Sequence, residues 1–249
     1  MNKPAMRNAL KKLRKVGFDR ADRANALMAP QEMLDFLAMT AGVKPVFLLG
    51  RGFNDPDWIA GVVQIAKEMQ LRIIVGPPWQ AAVSDVPQWF RELTHPEDRS
   101  VADVVYICKA KGAAEAVANS CDKKSISMEE EAQLLAYPEC CVRDHYRRVE
   151  LRDQAFFMMV ERTSGGNHEE MRRIIRDDVG VAAETDQEKA MLEESHGAKP
   201  ALFTSFHMCD QCRGNPDSPA KRISARFEEL AKAIGSDFAS EIASSQGGL

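Results

Sequence analysis

The sequence predicts an α/β fold: a small, mostly parallel sheet covered by helices, followed by a mainly helical half that carries the cysteines. Two observations lead to this prediction. Short apolar runs bounded by Pro and Gly alternate with helical patterns up to about residue 125, as in strand–helix–strand units. From Ser127 onward the chain is charged and helical in pattern. We therefore expect an α/β domain with N-terminal helices over residues 1–125 and a mainly helical metal-binding region over residues 126–249.

The predicted sheet has three strands separated by helices. A helix with Pro30 in its first turn leads to the run 45–50, which is typical of a short buried strand. A second helix, with Pro56 in its first turn, leads to a strand over 72–76, and the run 103–108 predicts a third strand. Because a crossover helix normally joins parallel neighbours, this order predicts a mostly parallel sheet.

The second half contains clear signals for helix starts. Ser127 and Glu130 have the spacing of a capping box, in which each side chain accepts a hydrogen bond from the backbone of the other. Pro138 ends that helix and is favourable in the first turn of the next one. Ser218 followed by Pro219 predicts the start of the last long helix.

Composition limits the classes of protein to consider. The chain has 249 residues, is 45% hydrophobic and carries a formal net charge of −4. It is long enough to bury a substantial core, and its charge gives no general attraction for nucleic acid or for an anionic membrane. No apolar stretch approaches the length of a membrane-spanning helix, so we expect a cytoplasmic protein without nucleic-acid or membrane partners. In a reducing compartment, six cysteines favour free thiols or metal ligands over a disulfide framework.

The most informative feature is a split group of four cysteines. Cys140 and Cys141 are adjacent, and Cys209 and Cys212 form a Cys-x-x-Cys pair far downstream. Together they predict a metal centre or an iron–sulfur cluster. We favour a cluster over zinc, because adjacent cysteines bind more easily to a centre with several iron atoms. If Pro138 begins a helix, the first-turn N–H groups should also lower the pKa of at least one thiol there.

Other interpretations of these residues remain open. The cysteines are also compatible with a reversible dithiol or with simple packing. His145, His207 and Cys108 are candidate catalytic groups near the centre, but a histidine is at least as often a surface or core residue. Cys108 ends a predicted strand, where open α/β sheets place residues that face ligands, or it is a small apolar residue of the core.

The cysteine pattern resembles that of the heterodisulfide-reductase-type double-cysteine domains. Cys108, then Cys140-Cys141, then Cys209-x-x-Cys212 follow the order of cysteines in that family, with Val142 in place of a glycine. The resemblance implies a four-iron cluster bound by these cysteines. It also leaves open whether Cys108 joins the site.

A second resemblance concerns the segment around the adjacent cysteines. Leu134-Leu135-Ala136-Tyr137-Pro138-Glu139-Cys140-Cys141 is similar to the Leu-Leu-Gly-Tyr-Pro-x-Cys-Cys signature of an uncharacterised prokaryotic family, which also has a downstream Cys-x-x-Cys. The resemblance implies no activity, but it supports treating the two cysteine segments as one site.

A weaker candidate site follows the first predicted strand. The N–H groups of Gly50, Arg51 and Gly52, together with the Arg51 side chain, could hold a phosphate and so bind a cofactor. The third glycine of a dinucleotide-binding fingerprint is missing, and a tight strand-to-helix turn explains the same residues.

The sequence thus predicts a cysteine-ligated metal or iron–sulfur protein, with a redox or substrate-binding role at the four-cysteine centre. On this interpretation it is a possible metal-dependent oxidoreductase that acts on a small molecule or a redox partner protein. Two alternatives remain: a structural zinc-binding interaction protein, and a thiol/disulfide redox protein without metal.

Overall fold

A computed structural model describes most of the chain. The described residues are 3–16, 28–49, 56–76, 85–94, 104–123, 126–196 and 203–245. The chain divides into two compact units, the first formed by residues 1–81, 102–142 and 200–249, and the second by residues 82–101 and 143–199. The domain boundary near residue 125 stays a prediction.

Helices dominate the described residues, and three short strands accompany them. The helices, in chain order, are α1 Lys3–Val16, α2 Pro30–Ala41, α3 Pro56–Glu68, α4 Gln88–Thr94, α5 Lys111–Lys123, α6 Met128–Leu135, α7 Glu139–Thr163, α8 His168–Arg176, α9 Asp186–His196, α10 Asp210–Gly214, α11 Pro219–Ile234 and α12 Ser236–Ser245. The strands are β1 Val46–Leu49, β2 Arg72–Gly76 and β3 Val104–Cys108. None of the described helices is long and apolar enough to cross a membrane.

The sheet is antiparallel, so the prediction of an α/β fold with a mostly parallel sheet is wrong. The strand order is β1-β3-β2, and β3 pairs antiparallel with both neighbours. Cys108 lies opposite Val46 on one side and Arg72 on the other. The two strands joined through α3 therefore point the same way but do not pair with each other. An apolar run that is buried on both faces is compatible with a parallel or an antiparallel strand, so the sequence pattern did not fix the direction of β3.

The central strand β3 is buried on both faces. Val105 and Ile107 belong to a core shared with helices α1, α2, α11 and α12. Val104, Tyr106 and Cys108 belong to a smaller core on the opposite face, with residues of α5 and α6. Because side chains alternate along a strand, this fully apolar run is explained by helices on both faces of the sheet.

The helix starts predicted at Ser127 and at Ser218 are both observed. The Glu130 N–H donates to Ser127 Oγ at 3.1 Å, and the Ser127 N–H donates to Glu130 Oε2 at 3.0 Å. Ser218 Oγ accepts from the Lys221 N–H at 3.3 Å. These caps pair backbone groups that a helix leaves without an internal partner.

The second unit has its own apolar core and one buried carboxylate. Phe90 packs with Val160, Met171 and Ile174. Glu188 is almost completely buried, and its two oxygens accept hydrogen bonds from the Arg162 side chain and from backbone N–H groups at 184 and 185. The hydrogen bonds from Arg162, aided by those of the backbone, lower the pKa of Glu188 to about 2.

We expect Ile107→Ala to destabilise the first unit by about 2–5 kcal/mol, because it removes a fully buried side chain from the central strand. Val75→Ala is the matched control, since Val75 is 54% exposed on the neighbouring strand and its truncation should change stability by less than about 0.5 kcal/mol. Urea unfolding of both variants measures the difference. Equal losses would contradict the central position of β3.

Candidate metal centre

The fold brings the four cysteines of the split group together. Their sulfur atoms all lie within 4.8 Å of one another, an arrangement that can hold a metal ion. Each cysteine of the first pair meets one of the second: Cys140 Sγ lies 3.4 Å from Cys212 Sγ, and Cys141 Sγ donates to Cys209 Sγ at 3.7 Å. All six cysteines of the chain are free thiols.

The two adjacent cysteines lie in the first turn of α7. The Pro138 carbonyl accepts from the Cys141 N–H at 2.9 Å and from the Val142 N–H at 3.1 Å. The same carbonyl thus accepts one hydrogen bond of the 3₁₀ type and one of the α type, as is frequent at the start of a helix. Both cysteines lie in this first turn, and their sulfur atoms reach one centre although neighbouring side chains of a helix point about 100° apart.

The second pair is placed by a short helix and by the cap of the next one. Cys209 is the residue that caps α10, and Cys212 lies inside it. Ser218, which caps α11, also donates from Oγ to the Cys212 carbonyl at 2.8 Å. One hydroxyl thus joins two consecutive helix ends and holds Cys212 in place.

The sulfur cluster is largely enclosed by apolar side chains. Cys141, Cys209 and Cys212 are buried, and Cys140 is half-buried. Phe206, Met208 and Ala220 belong to the same apolar group. Low polarity around a metal site limits the access of water to it.

Burial determines the acidity of the thiols. Burial raises the pKa of Cys140 to about 11, with a further contribution from its hydrogen bond to Cys212, and burial also raises the pKa of Cys141. The expected lowering of a thiol pKa by the start of α7 is therefore not observed. Burial opposes ionisation of Cys212 as well, but hydrogen bonds from Cys140 and from the Ala220 N–H lower its pKa below the usual value. Four thiolates in such a site need a cation to compensate their charge.

A polar network built on a buried ion pair adjoins the sulfur cluster. Lys44 Nζ donates to Asp35 Oδ2 at 2.6 Å and to Tyr137 Oη at 3.2 Å. Tyr137 Oη is 2.6 Å from Ser205 Oγ, and Ser205 Oγ donates in turn to Asp35 Oδ2. Lys44 and Asp35 are both buried, and the ammonium of Lys44 lies 4.7 Å from the centre of the Tyr137 ring. We call these four residues the polar network.

The charges in the polar network stabilise each other. Burial disfavours the charged form of Lys44, but Asp35 and Tyr137 outweigh this effect and raise its pKa. Burial raises the pKa of Tyr137, so its hydroxyl stays protonated. A buried lysine paired in this way retains its charge, whereas an unpaired one would lose it.

The other predicted site residues lie outside the sulfur cluster. His145 and His207 are exposed, and neither belongs to the metal-binding group found among the described residues. Cys108 is fully buried in the apolar core behind the sheet, where burial raises its pKa to about 11. Their predicted catalytic roles stay predictions. Gly50, Arg51 and Gly52 lie outside the described residues.

Sequence reasoning missed the polar network. Lys44 and Asp35 appear in the sequence as ordinary charged residues of a helix and the loop after it. A weak signal was present: Asp35 lies between apolar residues on a helix that is buried almost throughout its length. A charge in such a position needs a partner.

Comparison of the chain with protein-family models, with curated proteins and with solved structures gave no match. The function is therefore argued from the sulfur cluster and its surroundings.

We expect Lys44→Met to destabilise the first unit by about 3–5 kcal/mol, because it leaves Asp35 buried without its cationic partner. The double variant Asp35→Leu/Lys44→Met removes both charges and should lose less stability than the single variant. Urea unfolding of Lys44→Met, Asp35→Leu and the double variant measures this. A double variant as unstable as the sum of both single variants would contradict the pairing.

We expect Cys108 to react very slowly with iodoacetamide at pH 8 in the folded protein. With its pKa raised to about 11, on the order of one thiol in a thousand is ionised at pH 8. The reaction rate should therefore increase as the pH is raised toward 11. Peptide mapping against the half-buried Cys121 measures it, and rapid modification of Cys108 at pH 8 would indicate the accessible thiol that a catalytic role requires.

Proposed function

We propose that Cys140, Cys141, Cys209 and Cys212 bind a single zinc ion in tetrahedral geometry, and that the ion has a structural role. It would join two chain segments that are far apart in sequence and so stabilise the first unit. The spacing of the four sulfur atoms is the observation that carries this proposal.

The sulfur spacing supports a single ion. Zinc–sulfur bonds of about 2.3 Å in a regular tetrahedron separate the sulfur atoms by about 3.8 Å. The two measured contacts, 3.4 Å and 3.7 Å, are close to this value, and all four sulfurs lie within 4.8 Å of one another. A four-iron cluster places iron and sulfide atoms between the cysteine sulfurs and therefore needs a wider arrangement.

The position of Cys108 also favours zinc over the cluster that we expected from the sequence. The resemblance to double-cysteine domains includes Cys108 in the pattern. Cys108 instead packs with Val46, Tyr106 and Val117 in an apolar core that contains none of the four clustered cysteines. The four remaining cysteines suffice for one tetrahedral ion.

A structural role follows from the number of ligands. Four thiolates fill the coordination sphere of a tetrahedral ion, whereas a catalytic zinc site keeps one position for water or substrate. Closing the 68-residue separation between Cys141 and Cys209 costs about 4 kcal/mol of chain entropy. The free energy of zinc binding by thiolates, on the order of 10 kcal/mol or more, exceeds that cost.

The paired sulfurs favour a second function, thiol/disulfide redox chemistry without metal. In each pair, Cys140 with Cys212 or Cys141 with Cys209, the two thiols can give two electrons and two protons to hydrogen peroxide, forming one disulfide and two molecules of water. Partial exposure of Cys140 gives the oxidant access to the first pair.

We expect protein purified without added metal or chelator to contain one zinc per chain and no inorganic sulfide. Elemental analysis and a visible absorption spectrum measure this. Iron with sulfide in a brown protein would contradict the proposal in favour of a cluster, and protein without metal that forms the Cys140–Cys212 disulfide with peroxide would favour the thiol function.

We expect Cys209→Ser to lose most of its zinc and to lower the melting temperature of the first unit. Chelator should lower the melting temperature of the unmodified protein toward that of this variant and should have little further effect on the variant itself. Cys121→Ser is the matched control, because Cys121 lies outside the sulfur cluster and should keep full zinc content. A Cys209→Ser protein with unchanged zinc content would refute the assignment.

A further inference from the structure

We propose that the polar network of Asp35, Lys44, Tyr137 and Ser205 is a positioning device for the metal centre: it holds the two cysteine segments in register before the metal binds. The inference rests on the proposed function. It assigns to these four residues a contribution to metal affinity, although none of them is a metal ligand.

The network joins the two cysteine segments close to their ligands. Tyr137 is three residues before Cys140, and Ser205 is four residues before Cys209. Their hydroxyl oxygens lie 2.6 Å apart. A second contact reinforces the first, because the Tyr137 ring packs on the Phe206 ring at a centroid distance of 4.9 Å. The two segments are thus already joined by side chains that leave the thiols free for a metal.

The buried ion pair anchors this junction to the core. Asp35 lies in α2, whose residues are buried among the largest apolar core, and Lys44 lies in the connection from α2 to β1. Lys44 holds the Tyr137 hydroxyl, and Asp35 accepts from Ser205 through the same oxygen that binds Lys44. Each cysteine segment is therefore connected to Asp35 of α2, directly through Ser205 or by way of Lys44, as well as to the other segment.

The backbone at both segments adopts a positive φ close to the polar network. Ala136, just before Tyr137, has φ 55°, and Phe203, two residues before Ser205, has φ 65°. Residues other than glycine seldom adopt positive φ, and a bulky aromatic residue does so only where its surroundings impose it. At Ala136 the hydrogen bonds that end α6, from the N–H groups of Ala136 and Tyr137 to the carbonyls of Gln133 and Ala132, support this conformation and fix the position of Tyr137.

Preorganisation then affects metal affinity. A site whose ligands are already close together spends less of the binding free energy on ordering the chain. Thermodynamic linkage makes this effect reciprocal: the free energy by which the network strengthens metal binding equals the free energy by which the bound metal stabilises the network. A network that served folding alone would alter stability equally with and without metal.

The test uses Tyr137→Phe and Ser205→Ala in the full-length chain. Each variant removes one hydroxyl and keeps all four cysteines. Ser120→Ala is the matched control, because its hydroxyl donates within α5 to the Ala116 carbonyl, away from the cysteines. Co²⁺ is the probe, since its visible absorption reports tetrahedral thiolate ligation, and competition with a chelator gives the dissociation constants of Co²⁺ and Zn²⁺.

We expect the dissociation constant for both ions to rise about tenfold in Tyr137→Phe and Ser205→Ala, with an unchanged cobalt spectrum and no change in the control. We also expect chelation of the unmodified protein to accelerate amide hydrogen exchange in residues 136–137 and 203–206. Unchanged dissociation constants in folded variants would overturn this inference and leave the metal site intact. Failure of the unmodified protein to bind Co²⁺ through thiolates would instead overturn the proposed function.

Discussion

The approach of Cys140 and Cys141 to Cys209 and Cys212 is the constraint on which the arrangement of the C-terminal segments depends. It places four sulfur atoms, most of them buried, within 4.8 Å of one another. Such a cluster cannot ionise fully without a counter-charge, because burial and neighbouring thiolates both oppose the loss of further protons. The close packing of four sulfur atoms makes their ionisation unfavourable without a metal. It also suits the cluster to a dication, which compensates the thiolate charge. Coordination bonds then replace the hydrogen bonds between thiols.

The polar network also contains buried charges, and here an ion pair and hydrogen bonds compensate them. Lys44 and Asp35 are removed from water, which is unfavourable for each ion, but they pair with each other and with two hydroxyl groups. Apolar packing alone is nondirectional and would tolerate small displacements of the cysteine segments. Directional hydrogen bonds to Tyr137 and Ser205 restrict those displacements, and the metal ligands lie only three and four residues away.

In the sheet, sequence patterns predict where the strands lie but not the direction of the central strand. The positions of the three strands, the helix starts at Pro30, Pro56 and Pro219, and the capping box at Ser127 agree with local sequence signals. The direction of β3 does not, because an apolar run of five residues is compatible with a parallel or an antiparallel central strand. Direction depends on the path of the connection, and the segment between β2 and β3 belongs to another compact unit.

The sequence by itself determined the identity of the four clustered cysteines and most helix starts, because both depend on residue type and short-range spacing. Only the tertiary structure decided which sulfur meets which, the separation of Cys108 from the cluster, and the pairing of Lys44 with Asp35. The sulfur contacts join segments 68 and 72 residues apart, and the ion pair of Lys44 and Asp35 is linked to Ser205, 170 residues after Asp35. No local pattern records such contacts, because they arise from the packing of distant segments within the first unit.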